Sequence, residues 1–360
     1  MSTAGASVDP RAAPAGLGRV VRVPLLGASL RVAPRTLGVC AGLTVVALVV
    51  LILAVGTGEY PIAPGRVLET LLGGGDQGTR FVVETLRLPR ALTGLLVGAA
   101  LGAGGAILQS ISRNPLGSPD IVGFTQGASA GAVLQIIAFG GGAAAIATAS
   151  IVGGVLTAVV VYLLAYRNGV AGYRLVLVGI GMAALMAAVT DYLITRARLQ
   201  DAQQAWVWVT GSLNGRGWEH VRPVALALLV LLPLVVILAR DLRMMEMGDD
   251  AAKALGVAVE RSRLLLVLVA VGLTAVATAS AGPVLFVGLA APQIARRLTR
   301  ATGPGVGAAA LTGAVLLLSA DLAAQRLFPD SQLPVGVMTG VLGGVYLIWL
   351  LSNEWRSRRA

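Results

Sequence analysis

RLPRALTGLLVGAALGAGGAILQSISRNPLGSPDIVGFTQGASAG, residues 87–131, decides how the chain folds. From Leu92 to Leu108 it is long enough and apolar enough to cross a bilayer. Gly94, Gly98 and Gly102 recur every fourth residue and share one helix face, and Gly123, Gly127 and Gly131 repeat the pattern after a break. Faces without Cβ atoms let backbones approach closely, which is how helices associate in lipid, where apolar side chains gain nothing by leaving the tails. Asn114-Pro115 and Ser118-Pro119 interrupt the helix between the two stripes, and Arg87 and Arg90 frame its start, with Pro89 suited to the first turn.

Composition agrees with a membrane bundle. Hydrophobic residues make up 56% of the 360, charged residues only 12%, and the mean hydropathy is +0.82, which excludes an ordinary soluble domain. The net charge of +11 is spread between apolar segments and therefore reads as topology, not as a nucleic-acid patch. A single cysteine, Cys40, excludes an internal disulfide, and a single histidine, His220, leaves no His/Cys metal cluster. The one lysine, Lys253, sits in AAKALG and not in Gly-Lys-Ser/Thr, so the chain carries no P-loop of its own.

Apolar length and helix breakers predict an all-α, polytopic chain with about ten spans, roughly 37–56, 91–110, 121–140, 143–165, 174–195, 222–240, 262–280, 283–299, 306–327 and 335–351. The span at 283–299 is the shortest and is interrupted by Pro283 and Pro292. Residues 1–36, rich in Ala, Pro and Arg, read as a loosely structured cytoplasmic tail, 37–351 as the membrane domain and 352–360 as a second cytoplasmic tail. A short interfacial helix is expected after Pro64, and 199–219, with Trp206, Trp208 and Trp218, is too polar to span and suits an interface. Most of the basic residues fall on one side when both termini are placed inside.

The largest loop on that side is DLRMMEMGDDAAKALGVAVERSR, 241–263. Asp249-Asp250 mark a helix start, Ala251, Ala252, Ala254 and Leu255 form a small apolar face, and Gly256 stops the helix, with Met244, Met245 and Met247 expected to be exposed beside it. Such a helix can seat in another protein's groove, or the loop can be a solvated one that only fixes topology. Asp191 and Asp321 lie inside apolar segments. An intramembrane acid suggests a proton relay by default, but Asp191 is within a turn of Thr195 and Arg196, and Asp321 is within reach of Arg326, so both are expected to be paired, structural groups.

Arg-Leu-Pro-Arg (87–90), Gly98, Gln109, Arg113-Asn114-Pro115-Leu116, Pro119 and Gly123, followed by Leu255-Gly256-Val257, AGPVLFVGLAAPQIARR (281–297) and LPVGVMTGVLGG (333–344), resemble the FecCD-type permease subunits of ABC importers for iron-siderophores, haem and vitamin B12. The resemblance runs from about residue 37 to the end. It implies the vitamin B12 permease-like fold, two inverted four-helix halves formed by spans 2–5 and 7–10. It implies that Glu246, Gly248, Asp249, Ala252, Leu255 and Gly256 couple to a separate ATPase subunit. It also implies that Arg87, Arg90 and Arg326 receive acidic residues of an extracytoplasmic substrate-binding protein, against the plainer reading of arginines that snorkel. Gly181, Met182, Met186 and Thr190 of span 5, with Gly336 and Gly340 of span 10, would line the path, or simply pack. Asn114, Pro115, Pro119, Gly288 and Pro292 would be structural.

Three positions depart from the family pattern. The arginine often found four residues after the span-9 aspartate is Gln325, with Arg326 one place later. The glutamate common before Leu-Pro is Gln332. The histidine after Pro292 is Gln293, which resembles one partner of the heterodimeric ferric-catecholate permeases, as does TGSLNGRGWEH (210–220). The expected function is thus the permease subunit of a ferric-siderophore importer in the cytoplasmic (inner) membrane of a bacterium. It would pair with a second permease subunit, as heterodimer in preference to homodimer, with two ATPase subunits that hold ATP and Mg, and with membrane lipid. It would hold no resident cofactor or metal and bind no nucleic acid. Haem or vitamin B12 as cargo, a proton-driven secondary carrier and an integral membrane enzyme are the alternatives. The last is disfavoured by one His, one Cys and no clustered midmembrane acids.

Overall fold

The computed structural model describes residues 19–23, 28–58, 60–167, 169, 172–327 and 333–357. Gln332, where the family glutamate would stand, lies outside them. A two-stranded antiparallel hairpin, β1 (Arg19–Val23) and β2 (Ala28–Val32), precedes the helices. The loosely structured tail expected over 1–36 is therefore ordered in part: RVVRV and ASLRV pair as strands, and α1 (Pro34–Gly56) begins at Pro34, a proline whose missing N–H costs nothing at a helix start.

Each of the ten expected apolar segments contains a helix, though 121–123 and 283–286 are not helical. After α1 come the short α2 (Pro64–Leu71), starting at the predicted proline, and α3 (Gln77–Arg80), capped by Asp76, whose Oδ2 accepts from the Thr79 amide at 3.0 Å. The chain continues through a π-helical stretch, Phe81–Arg87, into α4 (Leu88–Ser112). Next follow α5 (Phe124–Leu134) with a π-helical extension Gln135–Phe139, α6 (Ala143–Ala165), α7 (Gly172–Arg196) and α8 (Leu199–Val209). The second part consists of α9 (Trp218–Met245), α10 (Asp249–Ala254), α11 (Val259–Ala281), α12 (Val287–Thr299), α13 (Val306–Leu327) and α14 (Val335–Ser357). Helix α14 thus runs on through most of the expected C-terminal tail.

Among the described residues seven helices are long and apolar enough to cross a membrane; Phe124–Phe139 and Val335–Tyr346 are shorter apolar stretches, and α12 has only 13 residues. Polar 199–219 does not span: it is α8, a turn and the first two residues of α9. Trp206 is largely exposed there, whereas the Trp218 indole donates to the Glu84 carbonyl at 3.1 Å.

Burial ranks the helices. The span containing α4 is 78% buried and that of α11 is 72%, against 11% for α7, so α4 and α11 are the central pair and α7 is peripheral. The glycine stripes explain why. A methyl on Gly98 or Gly102 would be driven into the backbone of α13 at Gly313 or Ala309, and one on Gly105 into the Gly288 carbonyl of α12. A methyl on Gly131 would likewise meet the Ala149 carbonyl of α6, and the Gly127 carbonyl lies against Gly153 of the same helix. Backbone-to-backbone contact of this kind brings many dispersion contacts into range, the main attraction available between helices in lipid.

The break after α4 is built from its own residues. Arg113 caps the helix in the left-handed region (φ 51°), and the Asn114 side chain accepts the Leu116 amide at 2.9 Å. The Pro115 carbonyl accepts from Gln293 at 2.9 Å, and Pro119 packs against Gly288 and Gly104. Asn114, Pro115, Pro119 and Gly288 therefore sit where two chain breaks meet, while Pro292 lies buried inside α12. Helix α4 begins at one end of the bundle, the upper end, and finishes at the other, the lower end.

Candidate functional sites at the two ends of the bundle

At the upper end Arg87, Arg90 and Arg326 all line one cavity of about 690 Å³, together with Thr57, Tyr60, Asn214, Asp321 and Gln325. Sequence spacing alone did not predict that Arg326, 236 residues beyond Arg90, would share a cavity with the other two. The three arginines are not equivalent. Arg90 grips Asp321 with two hydrogen bonds, Nε to Oδ2 at 3.2 Å and Nη2 to Oδ1 at 2.8 Å, and Gln325 donates to the same carboxylate at 2.8 Å. Asp321 is paired as expected, but with Arg90 of α4 and not with Arg326 of its own helix. The reason is geometric: α4 and α13 are in backbone contact, so Arg90 reaches the buried carboxylate directly.

Arg87 is half-buried and clamps the end of α1, donating to the Val55 carbonyl at 3.1 Å and the Tyr60 carbonyl at 2.6 Å. Arg326 is exposed and, among the described residues, reaches the Thr57 hydroxyl, at 3.2 Å from Nη2. Neither has an acidic partner among the described residues, whereas Arg90 is neutralised by Asp321. Asp191 departs from expectation. It is exposed near the end of α7, Thr195 bonds its backbone carbonyl at 2.7 Å, and its carboxylate makes no ion pair among the described residues.

At the lower end α10 begins at Asp249, as its Asp-Asp start and following alanines dictate. It is bracketed by Gly248 (φ 115°) and Gly256 (φ 83°), positions where a Cβ would be strained. The Val257 amide donates back to the Ala252 carbonyl at 3.0 Å, closing the helix. Only part of the expected apolar face is outward. Ala251, Ala254 and Leu255 are exposed, but Ala252 is fully buried. Likewise Met247 is exposed while Met245 is in the core and Met244 is half-buried, because α9 continues through Met245 and turns its last side chains onto the bundle.

The Glu246 carboxylate accepts from the Ser110 hydroxyl of α4, and beside it Arg296 of α12 donates to Gln109 at 2.6 Å while Gln109 donates to the Leu289 carbonyl at 3.0 Å. These groups line a second cavity of about 300 Å³. Asp249 is shared by two arginines, Arg263 Nη2 at 2.7 Å and Arg113 Nη2 at 3.5 Å, and Arg263 Nη1 also reaches Glu260 at 3.0 Å.

The expected path residues are not gathered in this chain. Helix α7 packs on α5, α6 and α8, and α14 on α12 and α13. On α7, Gly181 faces open space, Met182 and Met186 are half-buried, and Thr190 is buried with its hydroxyl on the Met186 carbonyl at 2.9 Å. On α14, Gly340 is open, but Gly336 is a packing contact: its amide donates to the Gly211 carbonyl at 3.0 Å, and a methyl there would strike the Thr210 carbonyl.

One acid escaped the sequence reading. Asp120 accepts from the Thr125 hydroxyl at 3.0 Å and from the Phe286 amide at 3.1 Å, tying the break after α4 to the break before α12. Phe286 is left-handed (φ 66°) and its ring packs on Gly343. The Ser-Pro-Asp sequence just after a helix break was the available signal.

Residues 45–353 match the FecCD transport family. The chain is 49% identical over 302 residues, 84% of its length and 92% of the relative's, to the ferric enterobactin transport system permease protein FepG of Escherichia coli. It is 40% identical over 310 residues, 85% of its length and 89% of the relative's, to the achromobactin transport system permease protein CbrC of Dickeya dadantii. A solved structure described as an inward-facing conformation of a metal-chelate type ABC transporter superposes with a TM-score of 0.77 at 27% identity, covering 88% of this chain and 99% of that one.

Proposed function

Because this chain belongs to the FecCD transport family, we propose that it is the transmembrane permease subunit of an ABC importer that carries a ferric siderophore across the cytoplasmic membrane. The observation that carries this reading is the 49% identity, over nearly the whole relative, to a ferric enterobactin permease. ATP and Mg²⁺ are held by two separate ATPase subunits, and a second, different permease subunit completes the path. Both termini lie in the cytoplasm, so the upper end faces the binding protein and the lower end faces the ATPases.

The two ends suit those partners. Arg87 and Arg326, with no acidic partner among the described residues, offer positive charge at the rim of an open cavity to acidic side chains of a substrate-binding protein. Charge complementarity of this kind sets association rate and specificity more than raw affinity. The exposed Ala251, Ala254 and Leu255 offer the ATPase a small apolar face on the loop 241–263. Closure of the ATPases pushes that face, and the helices rock around a path shared with the second permease, giving alternating access.

The test is reconstitution. The chain is purified in mild detergent with its co-purifying permease and ATPase chains, placed in liposomes, and offered ferric enterobactin loaded on its binding protein. Uptake should require ATP and survive collapse of the proton gradient. Uptake that persists without ATP and stops with the gradient would make the protein a secondary carrier.

A further inference from the structure

Helix α10 has 6 residues, too few to hold its own shape in water, and its two flanking glycines both adopt positive φ. What fixes its direction against the bundle is the buried Ala252 and the carboxylate of Asp249. Arg263, which receives that carboxylate, is 1% exposed at its side chain. A guanidinium so deeply buried demands a partner, and it divides its two terminal nitrogens between Asp249 and Glu260. Arg113, in the left-handed cap of α4, takes the other oxygen of Asp249. Asp249 is therefore tied at once to α11 and α4, the two most buried spans of the chain.

From this geometry we infer that the Asp249–Arg263 pair, seconded by Arg113, is the joint through which movement of α10 reaches the central helices; Arg263 is a positioning residue that contacts neither cargo nor ATP. The inference rests on the importer reading. Charge-assisted arginine–carboxylate bonds are directional as well as strong, so the pair transmits rotation as well as push. Without it, α10 remains attached by Ala252 and by two glycine hinges that absorb motion instead of passing it on.

The experiment measures, in the same liposomes, ferric enterobactin imported per ATP hydrolysed for the complete importer. Asp249→Asn and Arg263→Gln should each lower that ratio by about tenfold, in the range of ordinary coupling between distant sites. The double variant should be no worse than the poorer single one, and Arg263→Lys should recover most of the ratio. Where Arg263→Gln does not fold, Asp249→Asn, at a side chain 27% exposed, carries the test. An unchanged ratio in Asp249→Asn, or losses that add in the double variant, would overturn the joint while leaving the importer intact. Absence of ATP-driven uptake by the wild-type complex would overturn the importer reading, and the joint with it.

Discussion

Asp321→Asn is the substitution whose cost the structure fixes most closely. The carboxylate is 1% exposed and accepts three hydrogen bonds, two from Arg90 and one from Gln325. Asparagine keeps the shape but removes the charge, and its amide nitrogen then points a donor at donors. Breaking a buried pair from one side costs about 3–5 kcal/mol. Arg90 keeps 22% exposure, so water relieves part of the stranded guanidinium, and the loss should lie near the lower limit, about 3 kcal/mol. Replacing both, Arg90→Leu with Asp321→Leu, leaves no unpaired charge and should cost less than the single change. Unfolding by SDS in mixed micelles, followed by tryptophan fluorescence, measures both. A single variant within about 0.5 kcal/mol of wild type, or a double variant no better than the single, would refute the buried-pair argument. The same geometry warns against reversing Arg90 to probe docking: Arg90→Glu sets two carboxylates face to face and tests folding. Arg326, exposed and bound among the described residues to the Thr57 hydroxyl, is the cleaner probe.

Four further outcomes follow from burial and packing. Ala252→Arg should yield little folded protein by size-exclusion chromatography, because Ala252 is fully buried. Leu255→Asp, at a side chain 53% exposed, should fold normally and lose ATPase subunits in a pull-down. Gly105→Ala should destabilise by about 1–3 kcal/mol, as overpacking does, since its methyl meets the Gly288 carbonyl. Gly181→Ala, with nothing within 4 Å of the new methyl, should change stability by no more than about 0.5 kcal/mol, in the same mixed-micelle assay.

Much of this architecture was legible in residues 87–131 because lipid leaves few alternatives. A four-residue glycine stripe in an apolar segment has to meet another backbone, and Gly98, Gly102, Gly127 and Gly131 all do. The helix starts at Pro64 and Asp249 were legible for an equally local reason: proline at the first turn, and paired acids before alanines. Partners distant in sequence were not legible. Nothing near Asp321 announces Arg90, since the pair forms only because the glycine face of α4 brings α13 within reach. Intra-helix spacing favoured Arg326 instead. Nor does a six-residue amphipathic pattern say which alanine points inward: Ala251 and Ala252 are chemically the same, yet the folded chain buries Ala252 and exposes Ala251. That difference decides which residues of 241–263 are open to a partner, and the Asp249 bond that helps hold α10 comes from Arg263, a residue the sequence showed only as one more arginine on the basic side. The path residues stayed ungathered for a different reason. Gly181 and Gly340 open onto space that this chain does not fill, and the proposed second permease subunit would supply the missing wall.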